Sequence, residues 1–360
     1  MENSDINKHI IYVSPYYDPK VPSGANRRFD EVCKRFLKDY GDNFTLMVSR
    51  GKVPEWWNSK NLVEIDYEFN HLSKFKAEKQ IASELNKLPP SIVIMESIPI
   101  PFRALARHKH FQAAYDFRYF YGFSKSFLYR LLFTQYLKYQ WRHCQHIVTC
   151  SEFSIDELGR HVRYPRAKVV KSFFGINDKI FDVPHLSPSE KEYDLIYVGH
   201  FDGHKNHAPL IEALGMMDKN LKVMLIGVDN GRLAGLKARA LELALTNITF
   251  TVIRDEKKVW EMYTKSKAFV SPSIYEGFGM PTIEALALGL PVVLSDIKVF
   301  HEVGGDMATY FDPHDPNDIK LKLEAALANP TPLNKEMVRK QLDQFTWENI
   351  YNKFLEDIAK

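Results

Sequence analysis

The chain has 360 residues, 45% of them hydrophobic, and a formal net charge of +3. That length fits two domains, the apolar content excludes a disordered chain, and no apolar run approaches the ~18 residues needed to span a bilayer. Met1-Glu-Asn-Ser-Asp does not read as a signal peptide, and Cys33, Cys144 and Cys150 lack metal-ligand spacing or the pattern of a disulfide framework. The expectation is a reduced, cytoplasmic enzyme with no nucleic-acid partner. The charge is uneven: residues 1–175 hold 27 Lys and Arg against 18 Asp and Glu, the remainder 21 against 27. A basic half joined to an acidic half can orient a protein on an anionic surface or a phosphate-bearing partner.

Six apolar, β-rich segments are expected as strands in the first half. They are His9-Ile-Ile-Tyr-Val-Ser, Phe44-Thr-Leu-Met-Val-Ser, Ile92-Val-Ile-Met, Ala113-Ala-Tyr-Asp-Phe, His146-Ile-Val-Thr-Cys and Lys168-Val-Val-Lys-Ser-Phe, with helices at 26–39, 77–87, 126–142 and 152–161. Strands that are apolar throughout and separated by helices imply a parallel sheet covered on both faces. The rhythm restarts after residue 190 with Tyr193-Asp-Leu-Ile-Tyr-Val-Gly, Leu221-Lys-Val-Met-Leu-Ile-Gly, Ile248-Thr-Phe-Thr-Val-Ile, Ala268-Phe-Val-Ser, Pro291-Val-Val-Leu-Ser and Ala308-Thr-Tyr-Phe. Gly175–Ser189 reads as the linker. Two doubly wound domains bind ligands at the carboxyl ends of their strands.

Several loops carry candidate chemistry. After the first strand, Ser23-Gly24 can bring backbone close to a ligand, with Arg27 or Arg28 near phosphate; the alternative is a Pro-stiffened surface loop. No Walker or dinucleotide-binding glycine signature is present. Asp116, expected at the end of a buried strand, is either a general base for an acceptor hydroxyl or a salt-bridge partner of Arg118. Residues 125–142 mix aromatics with Lys125, Arg130, Lys138 and Arg142. Such a helix either lies against anionic membrane or is an ordinary two-faced core helix. Gly199-His-Phe-Asp-Gly-His-Lys-Asn-His places Lys205 where a cation can meet a diphosphate. His200, His204 and His207 share that loop without a carboxylate set, so no metal site is expected.

The most informative stretch is 271–293. An apolar strand leads into a loop holding Glu276, Gly277, Phe278 and Gly279. Met280, Pro281 and Thr282 then open a helix, with Pro281 at a position that tolerates its missing N–H. The helix closes at Gly289 before the next strand. A helix start offers amides and a positive dipole end to an anion. Two carboxylates flank it, Glu276 in the loop and Glu284 within the helix, and carboxylates bind hydroxyls rather than phosphate. A phosphate joined to polyols on both sides describes a nucleotide sugar.

These residues resemble the retaining glycosyltransferases of the GT-B fold, family four. Tyr275-Glu-Gly-Phe-Gly-Met-Pro-Thr-Ile-Glu-Ala is similar to that family's pair of glutamates eight residues apart, and Val198-Gly-His-Phe-Asp-Gly-His-Lys-Asn to its diphosphate loop. Val299–Pro313 resembles its closing strand region, Thr149-Cys-Ser-Glu-Phe-Ser and Phe174-Gly-Ile-Asn its inter-domain landmarks, and Phe345-Thr-Trp-Glu-Asn-Ile the start of a C-terminal helix that returns to the first domain. The resemblance implies that Glu284 holds the donor ribose and that Glu276 and the amides of Gly277–Gly279 hold the transferred sugar. It further implies that Met280–Thr282 and Lys205 meet the diphosphate. Where the family often has arginine, this chain has His200 and His204, so either the cationic clamp is weaker or pH-sensitive, or Arg254 or an arginine of the first domain supplies the missing charge. Tyr115-Asp116-Phe117-Arg118 is most similar to bacterial mannosyl- and rhamnosyltransferases of surface polysaccharide synthesis.

The resulting expectation is an α/β GT-B protein with an acceptor-binding domain at 1–175, a donor-binding domain at 176–345 and a returning helix at 346–360. It would move mannose or rhamnose, from GDP-mannose or dTDP-rhamnose, to a hydroxyl of a polyprenyl-linked or growing surface glycan. Catalysis would use front-side displacement with Asp116, Lys205 and Glu276 and without metal or other cofactor. The alternatives are a non-catalytic sugar-nucleotide-binding partner of another transferase and an epimerase of the same fold. The acceptor is expected to be shaped by loops 15–28, 51–60 and 98–126. The protein would be cytoplasmic, either free or peripheral on the inner face of the cytoplasmic membrane.

Overall fold

The computed structural model describes residues 9–21, 23–67, 71–96, 102–121, 127–164, 168–184, 186–329, 333 and 335–360. Residues 1–5, Lys125 and the parts of the expected acceptor loops at 22, 98–101 and 122–126 lie outside the described residues. The chain divides into two units, one built from the residues up to Phe174 together with Trp347–Lys360, the other from Gly175–Thr346.

The first unit holds a seven-stranded parallel sheet in the order β3-β2-β1-β4-β5-β6-β7. Its strands are β1 (Ile10–Ser14), β2 (Phe44–Ser49), β3 (Leu62–Ile65), β4 (Ile92–Glu96), β5 (Lys109–Ala113), β6 (His146–Thr149) and β7 (Val169–Lys171). Helices α1 (Gly24–Tyr40), α2 (His71–Lys87), α3 (Phe102–Leu105), α4 (Phe127–His143) and α5 (Glu152–His161) connect them. Every residue of β1, β2 and β4 is buried, as a sheet covered on both faces requires. Helix α1 begins where the Ser23 hydroxyl accepts from the Asn26 amide and ends at Gly41, whose φ of 52° suits glycine. Its buried Phe29, Val32, Cys33 and Phe36 fall on one stripe at helical spacing.

The second unit repeats the plan with a six-stranded parallel sheet in the order β10-β9-β8-β11-β12-β13. The strands are β8 (Tyr193–Val198), β9 (Val223–Ile226), β10 (Ile248–Thr251), β11 (Ser266–Ser271), β12 (Val292–Ser295) and β13 (Ala308–Phe311). Its helices are α6 (His207–Gly215), α7 (Leu233–Glu242), α8 (Glu256–Thr264), α9 (Met280–Ala287), α10 (Lys298–Gly304), α11 (Pro316–Ala328) and α12 (Lys335–Asp343). In both units the order reverses beside the first strand, between β1 and β4 and between β8 and β11. That is the crevice where doubly wound sheets hold ligands.

The expected linker begins at Gly175, where the second unit also begins. Ile176 bridges to Thr346 and its amide donates to the Phe345 carbonyl at 2.8 Å, which ties the start of this stretch into the second unit. The last helix, α13 (Trp347–Ala359), belongs to the first unit. Its Tyr351 and Phe354 rings meet Phe36 at 5.3 and 6.3 Å, and the Tyr351 hydroxyl donates to Asp39 at 2.7 Å. Burying each of these rings contributes on the order of 2 kcal/mol.

Two strand expectations need correction. The strand expected at 113–117 lies at Lys109–Ala113, so Asp116 stands three residues beyond its end. Its His110 and Gln112 are buried polar residues, which disguised the strand. His110 is accommodated because its amide donates to Gln145 Oε1 at 2.9 Å and its Nε2 lies 3.1 Å from the Gln145 amide. Strand β3 was not expected at all: it is a short, half-buried edge strand carrying Glu64.

Candidate functional site

Most of the candidate residues gather in the second unit, in the two loops that leave β8 and β11 on either side of the reversal. The first loop turns through a 3-10 stretch at Gly203–Lys205, and Asn206 adopts the left-handed conformation at φ 54° before α6 starts. The second runs from Ser271 to Gly279, which caps α9 at φ 92°. A hydrogen bond from the Ile274 amide to the His204 carbonyl, 2.9 Å, joins the two loops directly.

That junction brings Lys205 Nζ within 2.5 Å of Glu276 Oε1. The Ser273 hydroxyl donates to the same oxygen at 2.8 Å and lies 3.1 Å from the Tyr197 hydroxyl. Burial pushes the Glu276 carboxyl up, but the Lys205 ammonium, its hydrogen bond, His204 and Ser273 together draw it below the ordinary carboxylate value. Burial first, then the Glu276 charge, raise the Tyr197 phenol well above its usual range, so it remains a neutral hydrogen-bonding group.

Helix α9 follows at once, with Met280 and Pro281 in its first turn and no acidic side chain there, while the Thr282 amide donates to the Gly279 carbonyl at 2.9 Å. Its Thr282 and Glu284 are buried, and Phe278 packs edge-on against Phe345 at 5.3 Å. Gly277 is half-buried. His200 is exposed, whereas His204 is buried with Nδ1 3.5 Å from Asp202. His207 lies inward, its ring 4.9 Å from Tyr197 and 5.0 Å from Phe201. Burial, then Lys205 and His204, push its pKa down to about 3. Among the described residues no group of three His, Cys, Asp or Glu side chains forms a candidate metal site. Arg254 is exposed beyond the end of the edge strand β10.

Gly24 and Asp116 belong to the first unit. Gly24 opens α1 at the carboxyl end of β1. Asp116 accepts from the Arg118 amide at 2.9 Å and from its guanidinium at 2.6 Å, the salt bridge weighed as one of its two roles. Arg28 does not present its charge to a loop ligand. It is fully buried, with Nε donating to the Tyr115 hydroxyl at 2.9 Å and its guanidinium 5.2 Å from the Phe354 ring. The sequence reading missed the polar group beside it: Glu96, at the end of β4, accepts from Tyr12 at 2.6 Å and from Ser14 at 2.8 Å. A carboxylate closing an apolar strand was the available signal.

Also missed were Ser273, Tyr197 and Gly227. Gly227 follows β9 so close to the start of the Lys205 loop that a methyl group there would lie 2.0 Å from the Gly199 carbonyl oxygen. The glycine after Leu-Ile in that strand was the visible sign.

Residues 178–343 match the family described as glycosyl transferases group 1, a match that spans nearly the whole second unit. The chain is 31% identical over 204 residues to the O-antigen chain mannosyltransferase RfbU of Salmonella typhimurium, covering 56% of each. It is 29% identical over 223 residues to an O-antigen chain mannosyltransferase B of Escherichia coli, covering 56% of this chain and 57% of that one. The aligned stretch thus spans little more than half the length of these relatives. Sucrose-phosphate synthase from Thermosynechococcus elongatus superimposes with a TM-score of 0.79 at 17% identity, covering 96% of both chains. WaaG, a glycosyltransferase involved in lipopolysaccharide biosynthesis, gives 0.73 at 18% identity over 97% of this chain and 99% of that one. The architecture is GT-B.

Proposed function

We propose that this chain is a retaining glycosyltransferase that moves a hexose from a nucleotide diphosphate sugar to a hydroxyl of a lipid-linked or growing surface glycan. The observation that carries the reading is the Lys205–Glu276 pair in the loops that follow β8 and β11, the second of which leads into α9 with its buried Glu284. Glu284 takes the ribose hydroxyls, Lys205 and the first turn of α9 the diphosphate, and Glu276 with the loop amides of Gly277–Gly279 the sugar. Arg254 adds positive charge on the donor side, and Gly24 gives close backbone approach in the first unit. Mannose is the favoured sugar because the relatives are named mannosyltransferases; GDP-mannose is therefore the first donor to test and dTDP-rhamnose the second.

In the proposed reaction the bond from the anomeric carbon to the phosphate oxygen breaks, and the acceptor oxygen bonds to that carbon on the same face. The acceptor proton passes to the departing diphosphate or to Asp116. Lys205 and the helix dipole stabilise the charge that develops on the diphosphate. No step needs a metal ion.

No described helix is long and apolar enough to cross a membrane. Association with the inner face of the cytoplasmic membrane is proposed from α4. Leu131, Leu132 and Tyr139 of this helix are 45%, 64% and 55% exposed, on the same side as the exposed Arg142 and His143.

The test is incubation of the purified chain with GDP-, dTDP- and UDP-sugars and a polyprenyl-linked or glycan acceptor, with the product's anomeric configuration read by NMR. Transfer with retention is expected from at least one donor. Binding without turnover across the panel would sink the enzyme reading. Glu284→Ala should weaken donor binding by about tenfold or more, the scale of lost hydrogen bonds to a charged group; unchanged affinity refutes the ribose role.

A further inference from the structure

We infer that Arg232 is the second cation of the donor site, binding the diphosphate of the nucleotide sugar alongside Lys205. The inference rests on the proposed function and adds to it a residue from a third loop. Lys205 alone is poorly placed to neutralise a diphosphate, because its charge is already matched by Glu276 at 2.5 Å. The turn that carries it offers little more: His204 is buried against Asp202, and His207 is buried between aromatic rings.

The loop after β9, the next strand in the sheet, is built onto that turn. The Phe201 amide donates to the Val228 carbonyl at 2.9 Å, and the Asn230 amide returns a bond to the Phe201 carbonyl at 3.2 Å. Asp229 fixes the rest of the loop, its Oδ1 accepting from the amides of Gly231, Arg232 and Leu233 at 2.7, 2.9 and 3.1 Å. Gly231 takes φ 87° to allow that wrap. Those amides are therefore spent on Asp229, and only the side chain of Arg232 is available to a ligand.

That side chain points back over the Lys205 turn. A methyl group built on Gly203 would lie 3.5 Å from Arg232 Nη2. Arg232 is exposed, and among the described residues no acidic side chain lies within ion-pair distance of it. A planar guanidinium meets phosphate oxygens with two parallel hydrogen bonds and remains charged at every working pH. A loop tied down by Asp229 thus holds an uncommitted arginine over the turn that carries the committed lysine.

The experiment is titration calorimetry of GDP, UDP and dTDP into the wild-type chain, Arg232→Ala and Arg232→Lys, with melting temperatures recorded without nucleotide. Arg232→Ala is expected to lose at least about tenfold in affinity for whichever diphosphate the wild type binds, with Arg232→Lys retaining part of it. Should the alanine variant melt early, Arg232→Gln replaces it as an uncharged side chain of similar reach. Unchanged diphosphate affinity in a folded, uncharged variant overturns the inference and leaves the proposed function standing. Failure of the wild type to bind any of the three overturns the proposed function, and the inference with it.

Discussion

The Lys205 ammonium lies 2.5 Å from the Glu276 carboxylate, with the two side chains only 12% and 13% exposed. A pair this sheltered is costly to break from one side, because the survivor keeps its charge without its partner. Lys205→Met or Glu276→Gln alone should each cost about 3 kcal/mol in urea unfolding, and the double variant markedly less than their sum. Strictly additive losses would show that the pair is not coupled. The pH dependence has a definite sign. Glu276 has a lowered pKa in the folded state, so its contribution is complete above the unfolded carboxylate value of ~4.3 and disappears as pH falls through the lower folded value. Lys205→Met should flatten that part of the stability curve.

Glu96 behaves in the opposite sense. Burial raises its carboxyl above the ordinary range, and the hydrogen bonds from Tyr12 and Ser14 with the Arg28 charge recover only part of the shift. The folded state therefore holds the proton more tightly than the unfolded chain, and stability declines as pH rises from ~4.3 through the folded value. Glu96→Gln should remove that decline, matching the wild type near pH 4 and exceeding it at pH 8. Parallel stability curves for the two proteins over this range would contradict the account.

Two glycines near the site should respond differently to the same substitution. Alanine at Gly227 would set its methyl 2.0 Å from one backbone atom of Gly199 and 2.7 Å from another, and backbone cannot rotate away. A loss of ~3 kcal/mol or failure to fold is expected. Alanine at Gly203 meets only the movable guanidinium of Arg232 at 3.5 Å, an ordinary contact, and should stay within about 0.5 kcal/mol. Thermal unfolding of both variants decides the matter: a Gly227→Ala protein that melts with the wild type removes the close-approach argument.

The outward face of α4 carries the membrane proposal. Replacing Leu132 and Tyr139 together with serine removes two exposed apolar side chains, each worth roughly 1.5–3 kcal/mol if fully buried in lipid. Sedimentation with phosphatidylglycerol vesicles should fall at least fivefold, by about 1 kcal/mol. Equal sedimentation of variant and wild type would leave the helix as an ordinary surface element.

The sequence made the two sheets readable because parallel strands buried on both faces must be apolar along their length, as Ile10–Ser14 and Val292–Ser295 are. Pro281 and the paired glutamates likewise marked a helix start with a purpose. What escaped were features whose cause lies far away in the chain. The β5 strand hides behind His110, which is tolerable only because Gln145 meets it. Arg28 resembles a loop cation until Tyr115 and Phe354 enclose it. Arg232 gains meaning only once β9 is known to lie beside β8.

The helix Trp347–Ala359 completes a unit whose other residues end at Phe174. On the ribosome, domains ordinarily fold in the order in which they emerge. Here the second unit is one uninterrupted stretch and can close first, while the earlier-made sheet waits for Tyr351 and Phe354 to cover Phe36. The half synthesised first is thus finished last, and the exposed face around Phe36 is the surface a chaperone would meet in a nascent chain.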